Sequence, residues 1–132
     1  MQDDKKTLSL LRVKNAEECL SATKTLFKEG NYKSAANRCY YAAFHAMRAV
    51  LALDEIDMKH HSGVISEFRR LYIKTDILDS KLSQIISVLF DIRTDSDYDD
   101  FFVKTKEEVE EMIEKADFFV QTIKQYLNHI IE

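Results

Sequence analysis

The sequence contains no proline and, among its 132 residues, only two glycines, Gly30 and Gly63. An all-β or α/β protein of this length needs more turn residues, because Gly and Pro supply the backbone conformations of tight turns. Hydrophobic residues make up 45% of the chain, which is enough to build a buried core. The composition therefore predicts an all-α fold. We expect a single domain over residues 1–132, with its core in about residues 7–128.

Cysteine is also scarce, with Cys19 and Cys39 alone. Two cysteines at this spacing form neither a zinc motif nor a redox CxxC pair, so reduced, buried thiols are the simplest interpretation. The N-terminal segment MQDDKK is too polar for a signal peptide, and no apolar run reaches membrane-spanning length. We therefore expect a cytoplasmic protein that does not enter the membrane.

Positive charge is in deficit, with a formal net charge of −4. A general duplex-binding protein is disfavoured, because its affinity comes mostly from neutralised phosphates. One local basic cluster stands out, formed by Lys59, Arg69, Arg70 and Lys74. It is interpreted either as a solvated face or as a surface for RNA or a partner.

Apolar periodicity predicts five helices that form an antiparallel up-and-down bundle. Gly30 and Asn31 are suited to end the first helix and cap the second, and Ser62 and Asp79 are suited to cap the third and fourth. Thr105 and Glu108 have the spacing of a capping box. The predicted segments run from Thr7 to Lys28, Asn31 to about Asp54, Ser62 to Lys74, Asp79 to Arg93, and from Thr105 onward.

The second predicted helix, Asn31 to Leu53, is apolar on most sides but carries Arg38 and His45 seven residues apart on nearly one face. A buried arginine needs partners or a purpose. One interpretation is a structural network in which loop carboxylates pair with Arg38. The other is that Arg38, His45 and Arg93 line a pocket for a nucleotide phosphate or RNA, since the guanidinium fork suits phosphate.

Aspartate is concentrated between Asp91 and Phe102, where the fourth helix is expected to fray because Asp and Ser compete for backbone hydrogen bonds. The alternation of Asp95, Asp97 and Asp99 resembles the start of an EF-hand. Asp100 and Lys106 stand where that loop requires glycine and glutamate, so the motif fails. No metal ion and no cofactor are predicted.

Three blocks of sequence together carry a family resemblance: NRCYYAAFHAMRAVL, HHSGVIS and IRTDSDYDD. In this order and spacing they resemble the HEPN domain family, and in particular its small stand-alone prokaryotic members with an RxYYAxFHA helix. The resemblance implies a helical bundle that forms a homodimer. It also implies a minimal nucleotidyltransferase as partner, the two proteins forming a toxin–antitoxin pair.

Many HEPN proteins resemble metal-independent ribonucleases with an Arg-x4-6-His motif, and the resemblance places that motif at Arg93 to Tyr98. Arg93 is present, but Asp97 stands where the histidine is expected, and Tyr98 follows. An aspartate with an ordinary pKa of about 4 is a poor proton donor at neutral pH. The resemblance makes Arg93, Asp97 and Tyr98 the candidate catalytic residues. Because the histidine is missing, whether the protein is an enzyme stays open.

Aromatic and histidine residues supply the remaining site candidates. Tyr41 is able to stack on a base or to lie in a dimer interface, as is Phe102. His61 follows His60 just before a predicted helix start, where backbone amides bind anions; packing of one histidine in a connector is the alternative. The candidate nucleotide- or RNA-binding residues are thus Arg38, Tyr41, His45 and His61.

Together these patterns predict a protein that binds nucleotide or RNA and acts with a nucleotidyltransferase in a two-component system. Two alternatives remain open at this point. The first is an active metal-independent ribonuclease toxin, and the second is a purely structural helical interaction module.

Overall fold

The computed structural model describes residues 2–98 and 104–131, and side chains at 4–90 and 104–131. The described residues form five α-helices and no β-strand, which confirms the predicted all-α bundle. The third helix continues directly into one π-helical stretch, Arg69–Ile73. The helices are α1 Gln2–Lys28, α2 Tyr32–Leu53, α3 His61–Phe68, α4 Lys81–Tyr98 and α5 Lys106–Ile131.

The turn between α1 and α2 makes the first two helices an antiparallel hairpin, as predicted. Gly30 has φ +81°, a left-handed conformation that favours glycine at a helix end. Asn31 occupies the cap position of α2, but its side chain makes no capping hydrogen bond. The backbone N–H of Asn31 instead donates to the Leu26 carbonyl at 2.9 Å, which closes the turn.

Two buried hydroxyl groups fix the register of this hairpin. Ser9 Oγ donates to the Ala49 carbonyl at 2.7 Å, and Thr23 Oγ1 donates to the Ala35 carbonyl at 3.1 Å. The two pairs are 14 residues apart on both helices, so they belong to one antiparallel register. A side chain as short as serine reaches a neighbouring backbone only where the helices lie close together. The small-residue face of α2 makes that approach possible.

The buried face of α1 differs from its apolar pattern. Leu8 and Leu11, two apolar positions of the predicted helix, are 37% and 53% exposed, whereas Ser9 and Thr23 are fully buried. Where α1 and α2 lie close together, a small hydroxyl side chain fits and donates to a carbonyl group of α2, whereas a large aliphatic side chain does not fit. The helix also begins at Gln2, five residues before the predicted start at Thr7.

Two of the predicted helix caps are confirmed and one is wrong. Thr105 and Glu108 form the capping box, each side chain accepting from the other residue's backbone N–H at 3.1 Å. Asp79 Oδ1 accepts the Lys81 N–H at 2.8 Å, as predicted for a cap. Ser62 does not cap α3, because that helix begins at His61 and its cap position is His60.

Helix α4 extends to Tyr98, five residues beyond the end predicted near Arg93, and Tyr98 falls within the aspartate-rich segment where the helix was expected to fray or stop. The helix cost of aspartate is a fraction of a kcal/mol per residue, which is too small for one aspartate to end a helix. Residues 99–103, including Phe101 and Phe102, lie outside the described part of the chain.

The central element is α2, which packs against all four other α-helices. Its neighbours supply the large core side chains, such as Phe68 of α3 and Phe119 of α5, whose ring centroids are 5.8 Å apart. At the C-terminal end of α2, the Tyr72 hydroxyl donates to Asp54, and burial raises the pKa of Tyr72. This hydrogen bond ties the end of α2 to the π-helical stretch.

Candidate functional site

One face of α2 is polar and half-buried while the rest of the helix is covered. Between Ala35 and Ala52 every residue is buried except five half-buried ones. Four of these recur at steps of three, four and three residues, which places them along one line on the helix surface. We call this line the α2 polar stripe; it consists of Arg38, Tyr41, His45 and Arg48, and Asn37 lies beside it.

Arg38 and Tyr41 form the N-terminal half of the stripe. The Arg38 guanidinium carbon lies 4.6 Å from the centroid of the Tyr41 ring, within the range of a cation–π contact. Arg38 also donates to the Asn37 side-chain oxygen at 3.0 Å. The loop aspartates proposed as partners of Arg38, namely Asp91, Asp95 and Asp97, have side chains outside the described part of the structure.

His61, the first residue of α3, packs against this half of the stripe. Its ring stacks on Phe44 with centroids 4.3 Å apart and meets the edge of Tyr41 at 5.7 Å. The Tyr40 hydroxyl and His61 Nδ1 are 2.6 Å apart and share a hydrogen bond. Because stacking fixes the plane of the imidazole and Tyr40 occupies one ring nitrogen, His61 is held in a defined orientation beside Tyr41.

A shared carboxylate secures the connector between α2 and α3. Asp57 Oδ1 accepts from Arg48 at 2.8 Å and from Arg12 at 2.9 Å. Hydrogen bonds from Arg48 and then Arg12 hold the pKa of Asp57 below its usual range. Arg12, which is 7% exposed, also donates to the Arg48 carbonyl at 3.2 Å. This clamp ties α1, α2 and the connector that leads to His61.

His45 lies between the two ends of the stripe in positive surroundings. Burial lowers its pKa, and the charges of Arg48, Arg38 and Arg12 lower it further. Its imidazole is therefore neutral at neutral pH. Two buried nitrogens here, His45 Nδ1 and Arg48 Nε, have no hydrogen-bond partner among the described residues. A half-buried, neutral imidazole flanked by guanidinium groups is able to donate one ring N–H to a phosphate oxygen or to accept a proton.

The lowered pKa of His45 predicts acid destabilisation beginning near neutral pH. The unfolded chain protonates His45 around pH 6.5, whereas the folded chain does so only at lower pH, so the unfolded state gains protons first as pH falls. The free energy of unfolding should fall below pH 6.5 by at most about 1.4 kcal/mol per pH unit for this one group.

Urea unfolding of wild type and His45→Gln between pH 5 and 8 measures this effect. The variant should lose part of the pH dependence above pH 5. Asp57 acts in the same direction only near and below its own ordinary pKa of 3.8, so it does not obscure the result. Identical pH profiles for the two proteins would contradict the assignment of His45 as a buried neutral group.

The structure brings the four candidate binding residues Arg38, Tyr41, His45 and His61 into one neighbourhood. The side chains of the candidate catalytic residues, which are Arg93, Asp97 and Tyr98, lie outside the described part, although α4 carries their backbone. Sequence reasoning missed Arg48, Phe44 and the clamp formed by Arg12 and Asp57. Arg48 was detectable, since it lies three residues beyond His45. Nothing in the sequence indicated that Arg12 and Asp57 would meet it.

Other chemistries find little support among the described residues. Both cysteines are free, and burial raises the pKa of Cys39 to about 12 and also raises that of Cys19, so neither is an activated nucleophile. Among the described side chains, at residues 4–90 and 104–131, no group of three His, Cys, Asp or Glu is placed to hold a metal ion. No helix in that part of the chain is long and apolar enough to cross a membrane.

Comparison with known proteins now places the fold in a family. The HEPN domain model matches residues 10–126, which include α2, the connector and nearly all of α5. The chain belongs to the HEPN domain family. The resemblance carried by the RCYYAAFHA segment is thereby confirmed, and the α2 polar stripe lies within that segment and just beyond it.

Similar proteins are found in Methanocaldococcus jannaschii and Thermotoga maritima. A protein of Methanocaldococcus jannaschii named as a candidate toxin is 36% identical over 115 residues, covering 87% of this chain and 78% of the relative. A second candidate toxin of that organism is 36% identical over 116 residues, covering 88% and 86%. A UPF0332 protein of Thermotoga maritima is 31% identical over 130 residues, covering 98% of both chains. This HEPN chain is thus similar to toxin-like proteins over most of its length.

Proposed function

We propose that this HEPN protein binds nucleotide or RNA on the α2 polar stripe, as one component of a toxin–antitoxin-type system. The observation that carries the proposal is the composition of that stripe. On a helix otherwise buried from Ala35 to Ala52, the half-buried line holds two arginines, a tyrosine and a neutral histidine. Arg48 also serves the structure through its pairing with Asp57, but packing alone gives no reason for the charge of Arg38.

The arrangement suits a phosphate beside an aromatic base. Arginines provide planar, charged donors that match phosphate oxygens, and Tyr41 and His61 provide ring surfaces on which a base can stack. Arg12, Arg38 and Arg48 surround His45, and among the described residues Asp57 is the carboxylate that pairs with Arg12 and Arg48. The stripe is therefore locally positive in a chain of net charge −4.

Arg38→Ala tests the proposal through the binding of a fluorescein-labelled 12-nucleotide RNA and of 5′-AMP. Loss of one charged donor should weaken both affinities by roughly 10- to 100-fold. Arg38→Lys should recover only part of the loss, because lysine keeps the charge but lacks the planar fork. Lys14→Ala, an exposed cation of α1, is the matched control and should bind as wild type does.

Two outcomes would count against this site. Wild-type affinity in Arg38→Ala would remove Arg38 from it. If Arg38→Ala instead unfolds the domain while Tyr41→Leu folds and binds normally, the polar stripe is a packing device and the structural-module alternative gains.

The partner in this proposal is a minimal nucleotidyltransferase, and the active form is a homodimer in the cytoplasm. The names of the Methanocaldococcus relatives support a toxin-like role, and two free thiols agree with a reducing compartment. Arg93, Asp97 and Tyr98 remain the proposed catalytic position. A neighbouring nucleotidyltransferase gene whose product co-purifies with this chain would support the pairing, and failure of the two purified proteins to associate would oppose it.

A further inference from the structure

A basic groove lies between α3, the π-helical stretch and α4, next to the proposed site. Its volume is about 550 Å³. The lining residues fall into three kinds: cations, serine hydroxyls and apolar side chains. They are Arg69, Arg70 and Lys74; Ser62, Ser66 and Ser87; and Ile65, Ile86 and Phe90.

We propose that this α3–α4 groove binds the sugar–phosphate backbone of single-stranded RNA that continues from the α2 polar stripe. The inference rests on the proposed function and specifies its ligand as an oligonucleotide longer than a mononucleotide. Positive grooves that track a backbone beside aromatic stacking surfaces are a general design for single-stranded nucleic acid.

The groove borders the proposed site at one end. Ser62 follows His61 directly, and Phe90 packs against Tyr40 with ring centroids 5.7 Å apart, while Tyr40 shares a hydrogen bond with His61. Ser62 and Lys74, at the two ends of one wall of the groove, are 12 positions apart, or roughly 18 Å at about 1.5 Å per helical residue. The groove therefore begins next to His61, within reach of a ligand that occupies Tyr41 and His61.

The cations of the groove are arranged for an anion. Arg69 donates to the Ser83 carbonyl at 3.0 Å and to Ser87 Oγ at 2.8 Å, which fixes its guanidinium against α4 before any ligand binds. Its buried Nε has no hydrogen-bond partner among the described residues. Fixing a charged fork in advance lowers the entropy cost of binding. The rarity of π-helical turns, and their frequency at functional sites, agrees with a role for this stretch.

A second groove provides a comparison. It lies between α4 and α5, has a volume of about 470 Å³, and is lined by Glu111 and Glu114 as well as by Lys81 and Lys115. Its charges balance, so it has no preference for a phosphate. No carboxylate lines the α3–α4 groove among the described residues, and Glu67 pairs with Arg70 from outside the lining.

The test compares two double variants that lose equal charge. Arg70→Gln/Lys74→Gln removes two cations from the groove without touching Arg69, which anchors α4. Lys14→Gln/Lys24→Gln removes two exposed cations from α1, and both variants change the net charge from −4 to −6. Binding of a labelled 12-nucleotide oligo(U) and of 5′-AMP is measured at several salt concentrations, with thermal unfolding to confirm that both variants fold.

The groove variant should bind the RNA roughly tenfold more weakly than wild type. A plot of log affinity against log salt concentration should also be less steep by about 1.4, because each of the two lost single-strand phosphate contacts contributes about 0.7 to its slope. Its affinity for 5′-AMP should be unchanged, and the α1 variant should match wild type for both ligands. Wild-type RNA affinity and slope in the groove variant, or an equal loss in the α1 variant, would overturn the inference while leaving the proposed function standing. If wild-type protein binds neither ligand, the proposed function itself fails.

Discussion

Phe119→Ala should lower the free energy of unfolding by about 3–5 kcal/mol, the largest effect expected of any substitution considered for this protein. Phe119 is fully buried in α5, and its ring lies 5.8 Å from that of Phe68 in α3. Removal of the ring leaves a cavity between two helices that both pack on α2. The loss combines the transfer of the ring from water with the cost of that cavity.

Phe118→Ala is the matched control for this prediction, since it removes the same ring from the adjacent residue. Phe118 is 46% exposed, and its described ring contact is with the Lys81 ammonium at 5.4 Å. We expect a loss below about 1 kcal/mol. Urea unfolding of the two variants at pH 7 measures both values. Similar losses in the two proteins would mean that α5 faces the core differently from the fold described above.

Arg12→Ala should lower the free energy of unfolding by about 2–4 kcal/mol, because Arg12 is the buried member of the clamp on Asp57. Its side chain is 8% exposed, whereas that of Asp57 is 59% exposed. The substitution removes the hydrogen bond from Arg12 to the Arg48 carbonyl and the packed stem of the arginine from the α1–α2 interface. Arg12→Lys should recover little, because one ammonium cannot replace two donors that point in different directions.

Lys14→Ala serves as the control for this second prediction, since Lys14 is an exposed cation on the same helix and its loss should change stability little.

The clamp also predicts a functional consequence. Arg12→Ala loosens the connector that carries His61, so nucleotide affinity should fall even at temperatures where the variant is fully folded. A stable variant with normal affinity would show that the connector is positioned by other contacts.

The sequence was most informative where one helix dominates the fold. Its apolar and small-residue stripes predicted that α2 would be buried on most sides, and Tyr40 lies at 1% exposure as its position on the core stripe implied. The capping box at Thr105 and the left-handed Gly30 were predicted equally well. Each of these features depends on hydrogen bonds between residues close together in the chain or on the spacing of apolar residues, and both can be inferred from the sequence alone.

Features that depend on distant residues were not predictable in the same way. Ser9 and Thr23 are buried because α2 presents carbonyl groups at their positions, and the apolar pattern of α1 gave no sign of that. The clamp joins Arg12 to Asp57, 45 residues along the chain, and only the closed hairpin brings them together. The π-helical stretch Arg69–Ile73 was likewise missed, and the sequence was interpreted as one α-helix from Ser62 to Lys74.

The clustering of three candidate binding residues was predictable for a related reason. Arg38, Tyr41 and His45 lie on one helix, so their spacing alone placed them together. His61 joins them through stacking on Phe44, a contact that no spacing rule anticipates. The residues at the family's catalytic position lie on α4, and their contribution stays a proposal.

Imidazole ¹H–¹⁵N spectra of the wild-type protein during titration with 5′-AMP test the central claim most directly. The chain has four histidines, two in the proposed site and two outside it, and the measurement needs no substitution that could disturb folding. His45 and His61 should shift with a common saturation curve, while exposed His60 and His129 should stay nearly unchanged. Saturating shifts confined to His60 and His129, or no shifts at any concentration, would contradict nucleotide binding on the α2 polar stripe.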